Sequence, residues 1–177
     1  MTRRTQVHTI EHPAPELPPQ GDGPGDRLRA QQTALAEELV ARQFAAQPEL
    51  ARRDGPAGRE ACLQEANYQL ACLSAAMNAG NASLFSDYVG WAKVMLGRRG
   101  VSMADLARHL ELTRTIVGER FEGAARSLAV AYLSAGLAVL PSLPIDLPSC
   151  LPRDAPHAGL AAPYLDALLN GERELLS

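Results

Sequence analysis

Between Ala57 and Leu140 the apolar residues recur every three or four positions, and no stretch of five or more alternates in the manner of a strand. Cys62, Ala66, Leu70, Leu73 and Met77 stand at intervals of four, four, three and four. That is one stripe of a helix, and Gly80 follows it as a stop. Asn81 is placed to cap the next helix, whose inner face holds Phe85, Tyr88, Val89, Ala92, Met95 and Leu96. "GRRG" closes that helix with two Arg side chains near the negative end of its dipole. "VSMAD" opens another, with Ser102 as cap, Asp105 three positions on, and Val101 and Leu106 able to staple around it. A last helix, from about Glu122 to Leu140, is so rich in Ala and Gly that neighbours can approach it closely, as they would the central helix of a bundle.

Upstream, "DRLRAQQTALAEELVARQFAAQPELARR" continues the helical pattern from Arg27 in a looser stripe of Leu28, Leu35, Leu39, Phe44 and Leu50, and "DGPAGRE" interrupts it. The fold class is therefore all-α, with about five core helices over residues 27–140. Residues 1–26 are rich in Pro, Gly and charge without periodicity and read as a disordered head. From Pro141 a proline recurs every few residues, so 141–162 read as an extended, semi-rigid linker. Residues 163–177, "PYLDALLNGERELLS", read as the start of a further helical unit that is incomplete.

A net charge of −3 provides no global attraction to nucleic acid or anionic lipid. The N-terminus lacks the apolar run of a signal peptide. The most hydrophobic segment, Leu128 to Leu140, is shorter than the roughly 20 residues that span a bilayer and reads as a buried helix. Three sparse cysteines, Cys62, Cys72 and Cys150, form no metal-type pair and suit reduced thiols, so a cytoplasmic protein without membrane association is expected.

No metalloprotease, nucleophile-elbow, phosphate-loop or dinucleotide motif is present, and no nucleophile and base form a recognisable pair, so the chain is read as non-enzymatic. His109 alone among the histidines falls on a helix; an axial haem ligand would look like this, as would an ordinary, partly exposed helical histidine. Tyr88 and Trp91, three apart, share a helix face. With Tyr68 they pack either as core aromatics or as a flat seat for a planar ligand, with Arg98 or Arg99 near its carboxylate.

Residues 102–121 also resemble a helix-turn-helix, with Thr113, Arg114 and Arg120 directed at DNA. Against that, Glu111 occupies the turn position, Glu119 and Glu122 spoil a basic face, and Met103, Leu106, Leu110, Thr113 and Val117 keep one stripe throughout. One continuous helix is the favoured reading.

"LFSDYVGW" (Leu84 to Trp91), then "RRGV" (Arg98 to Val101), with "ANYQLACL" upstream, resembles a bacterial family of two-part sensory proteins. Its members join an N-terminal globin-like helical domain to a cobalamin-binding module, and the likeness covers about residues 57–140. The segment "YLDALLNGERELLS" is similar to the opening of the helical cap of such modules, while the D-x-H-x-x-G motif that ligates cobalt does not occur here. The resemblance implies a globin-like sensory domain, which in some members holds a bilin; the candidate seat read from the residues themselves, for a bilin or haem, is Tyr68, Tyr88, Trp91, Arg98, Arg99 and His109. It also implies signalling to a cobalamin-binding or other output module; a homodimer is expected separately, because the Ala- and Leu-rich helices offer more apolar faces than one small bundle buries. Two positions depart from the family's pattern: Gln69 stands in place of a His and Cys72 in place of an aromatic.

Overall fold

The computed structural model describes residues 21, 23–145, 159–160 and 163–164. The head before residue 21, most of the Pro-rich stretch, the terminal segment beyond 164, His8, His12, His157 and Cys150 lie outside the described residues. Those described form six α-helices and one short 3-10 turn, without a strand among them. The order is α1 Pro24–Ala30, α2 Gln32–Ala46, α3 Pro48–Asn78, α4 Ala82–Arg98, α5 Met103–Arg120 and α6 Gly123–Val139, followed by the 3-10 turn Leu140–Ser142. The all-α bundle expected from the periodicity is what the chain forms.

The loose stripe after Arg27 resolves into three pieces instead of one helix. The backbone leaves helical geometry at Gln31 and again at Gln47, after which Pro48 takes the first position of α3, where its missing N–H is no loss. At "DGP" two helical runs meet across a kink, the interruption expected there. Gly55 adopts φ 60°, ψ −159°, open to glycine but strained for other residues, and Pro56 restarts the helix beyond it.

The expected caps form. Asn81 accepts from the Ser83 amide at 3.0 Å, and Ser102 Oγ accepts from the Asp105 amide at 3.0 Å. Residues 102–121 are not a helix-turn-helix: α5 runs unbroken from Met103 to Arg120.

α6 packs against α1, α3, α4 and α5, and α3 likewise meets four helices, α1, α2, α4 and α6, so the two share the centre of the bundle. Gly136 is the reason α6 can approach α4 so closely, since a Cβ there would lie 3.0 Å from Val89 Cγ2 and 3.2 Å from Phe85 Cε1. The core around it includes Leu39, Leu70, Phe85, Val89, Leu110 and Leu133, all fully buried. Fully burying a side chain of this size is worth about 1.5–3 kcal/mol. By length and hydropathy Gly123–Ser142 is the one segment among the described residues apolar enough to cross a membrane; here one face of it is packed in the bundle.

α1 crosses α3 at Gly25. There the Gly25 amide donates to Asn78 Oδ1 at 3.0 Å, and Ser74 Oγ donates to the Gly25 carbonyl at 2.8 Å.

Candidate functional site

A cavity of about 530 Å³ lies between α2, α3, α5 and the α4–α5 corner, lined by α3 residues on both sides of the bend at Gly55. Its volume lies in the range of small-molecule sites. α2 supplies Gln43 and Phe44; α3 supplies Leu50, Arg53, Gly58, Ala61, Cys62 and Glu65. Leu96, Arg99, Gly100 and Val101 come from the end of α4 and the corner, and Asp105, Leu106 and His109 from α5. On α3 the residues 58, 61, 62 and 65 recur at helical spacing, which is why one face lines one wall. The walls are mostly apolar, and the polar groups converge from three helices.

His109 is buried, not partly exposed, because it falls on the inner stripe of α5 beside Leu106 and Leu110. Its Nδ1 lies 2.6 Å from Gln43 Oε1. An amide oxygen only accepts, so Nδ1 carries the proton, and Nε2 is left with a lone pair that meets no partner among the described residues. Burial lowers the His109 pKa from 6.5 to about 4, so the ring is neutral at physiological pH. The Cys62 thiol donates to the same Gln43 oxygen at 3.6 Å.

The acids of the cavity are engaged. Tyr88 Oη donates to Glu65 Oε1 at 2.6 Å, and Gln47 Nε2 donates to Asp105 Oδ1 at 2.9 Å. Arg53 lies 3.7 Å from the other Asp105 oxygen. Arg99, exposed at the rim, pairs with no carboxylate among the described residues. The cation left over in the cavity is therefore Arg99.

The aromatic residues gather elsewhere. Tyr68 packs against Trp91 and Tyr88, with ring centroids 5.5 and 5.9 Å apart, and Tyr88 lies 6.3 Å from Trp91. Rings this close fill the space between them, so the cluster offers an outer surface and no slot. Tyr68 and Trp91 are exposed, while Tyr88 is buried beneath them against Phe85. Burial, and then the Glu65 carboxylate, hold the Tyr88 phenol well above its ordinary pKa, so it stays a donor. Burial also raises the Cys72 thiol beside Tyr68.

The expected site thus divides. Arg99 and His109 line the cavity; Tyr68, Tyr88 and Trp91 form the neighbouring cluster; Arg98 lies at the end of α4 outside the lining. Glu65 joins the two parts, lining the cavity and holding Tyr88. Sequence reasoning passed over Glu65 and Gln43. The available signal for Glu65 was its place one turn after Cys62 and three residues before Tyr68; Gln43 offered none.

The DNA-reading residues do not form a reading face. Thr113 is buried, donates to the His109 carbonyl at 2.8 Å and accepts from Gln69 Nε2 at 2.8 Å. Arg120 pairs with Glu38, and Arg114 reaches Ser134 at 3.5 Å. Among the described residues no three His, Cys, Asp or Glu side chains converge to hold a metal ion.

No protein-family model, no curated protein and no solved structure matches this chain.

Proposed function

We propose that this chain is a non-catalytic, globin-like sensory domain of cytoplasmic type whose ligand seat is the cavity between α2, α3 and the α4–α5 corner. The observation that carries this reading is the cavity itself: about 530 Å³ of mostly apolar wall beside a neutral His109. Its acids are already engaged by Tyr88, Gln47 and Arg53, while Arg99 at the rim pairs with no carboxylate among the described residues. Such a seat favours an apolar body with an anionic group over a cationic ligand. A tetrapyrrole with carboxylate side chains, bilin or haem, is the ligand class that this chemistry and the family resemblance share. Signalling then passes to an output module of the cobalamin-binding kind, and a homodimer is the assembly in which we place it.

The test is titration of the purified chain with biliverdin and, separately, haemin, followed by absorption. A saturable shift with one of them is expected, and Arg99→Glu should weaken binding by about tenfold, the scale of one exposed-to-half-buried ion pair. Unchanged spectra with both pigments would overturn the reading.

A further inference from the structure

Lys93 is the only lysine of the chain, and it is buried on α4. Among the described residues no carboxylate pairs with it. Its ammonium instead donates to two backbone carbonyls, Leu140 at 3.0 Å and Leu143 at 2.6 Å. An ammonium taken out of water without an anion is expensive, and a Met would fill the same space without that penalty. What the charge adds is a pair of strong, charge-assisted bonds to the chain where it leaves the bundle. The Leu143 side chain lies over Gly90, one turn earlier on α4, with its methyls 3.6 and 3.8 Å from where a Cβ would stand. Residues 140–143 are therefore fastened to α4 by one ammonium and one side chain.

The same helix ends in the cavity. Leu96, one turn beyond Lys93, and Arg99, two turns beyond, both line it, and at 1.5 Å per residue Lys93 and Arg99 are about 9 Å apart along the axis. A stiff helix with one end against a cavity and its middle clamped to a departing segment can carry a displacement between them. We infer that α4 is the lever that reads the cavity, and that Lys93 is the clamp through which it holds or releases residues 140–145. This inference rests on the cavity being the ligand seat proposed above. When the cavity fills, Leu96 and Arg99 are pushed outward, and the two carbonyl bonds of Lys93 loosen.

Amide hydrogen exchange followed by mass spectrometry on the full chain tests this without any ligand. Lys93→Met should speed exchange of residues 139–145 by about tenfold or more, the scale set by losing hydrogen bonds to a charged group. Peptides from α2, α3 and α5 should keep their wild-type rates. Cys62→Phe, which fills the cavity from α3, should speed the same 139–145 peptide, and should add nothing when Lys93→Met is already present. That last result separates a lever from a merely structural lysine. Wild-type exchange of 139–145 in Lys93→Met, or an effect of Cys62→Phe that persists undiminished in the double variant, would overturn the inference. If Lys93→Met does not fold, Leu143→Ala serves in its place, because it removes the seat over Gly90 and leaves the ammonium; it must then speed 139–145 and absorb the Cys62→Phe effect. Failure of both pigments to bind leaves these rates untouched, so the failure of the ligand reading and the failure of the lever are told apart.

Discussion

At the scale of single residues, His109 has the clearest consequence. Its pKa is about 4 in the fold against 6.5 for a free imidazole. In the window between those values the unfolded chain binds a proton that the folded chain does not. Stability from this group is therefore complete above pH 6.5 and is lost as the pH falls towards 4, by about 3 kcal/mol in total. His109→Asn keeps a donor near Gln43 and removes the titration. Urea midpoints measured from pH 7.5 to 4 should fall less steeply for His109→Asn than for the wild type; parallel curves would show that His109 does not titrate in this way. Gly25 is a second sensitive point, since a Cβ there would sit 2.3 Å from the Ser74 carbonyl oxygen and 2.5 Å from Asn78 Oδ1. Gly25→Ala should destabilise by about 1–3 kcal/mol, the usual range for overpacking a tight contact, and a thermal melt at wild-type midpoint would refute the crossing. The place of Gly25 was not legible in the sequence. It stood in a Gly-rich head, and only the approach of α3 from some 50 residues away gives it a role. The burial of His109 runs against the partly exposed place expected for it, although Leu106 and Leu110, three before it and one after it, already marked the inner face of α5.

At the scale of elements, α5 is the helix on which two functional readings diverged. Its continuity through Glu111 predicts that Glu111→Pro costs about 3 kcal/mol or more, because the proline removes a helical hydrogen bond and collides with the preceding turn. Glu111→Gly should cost about 1 kcal/mol. In a helix-turn-helix the glycine would be neutral or stabilising, so chemical denaturation of these two variants distinguishes the geometries. Ser102→Ala, which deletes the cap on Asp105, should cost about 1 kcal/mol by the same measurement. α4 and α5, each with a side-chain cap and a dense stripe, and α6, with its run of small and apolar residues, were legible because local chemistry and burial agree in them. The Gln31 and Gln47 breaks were not, since glutamine is a good helix former and only the packing of α1 and α2 on α3 turns the chain there. Pro48 was a signal for the second of them, and it acts as a helix start.

At the scale of the whole molecule, α3 and α6 share the centre of the bundle, and the proposed seat lies away from α6, where α2, α3, α5 and the α4–α5 corner line the cavity on both sides of the bend at Gly55. The aromatic residues that stand out in the sequence do cluster, yet they pack on one another beside the cavity instead of lining it. A cavity is a property of helices that fail to meet, and no spacing within one helix records it. What the sequence could show were two of its lining residues, Arg99 at the end of α4 and His109 on α5. Glu65 ties the cavity to the aromatics through Tyr88, and α4 ties it to the departing chain through Lys93. The central claim is that this cavity, and no other surface, is the ligand seat. The most direct test is absorption titration of wild type and Cys62→Phe side by side with biliverdin and haemin. A saturable shift in the wild type that weakens about tenfold or more in Cys62→Phe is the expected result. Equal affinity in the two proteins, or no shift in the wild type with either pigment, would contradict it.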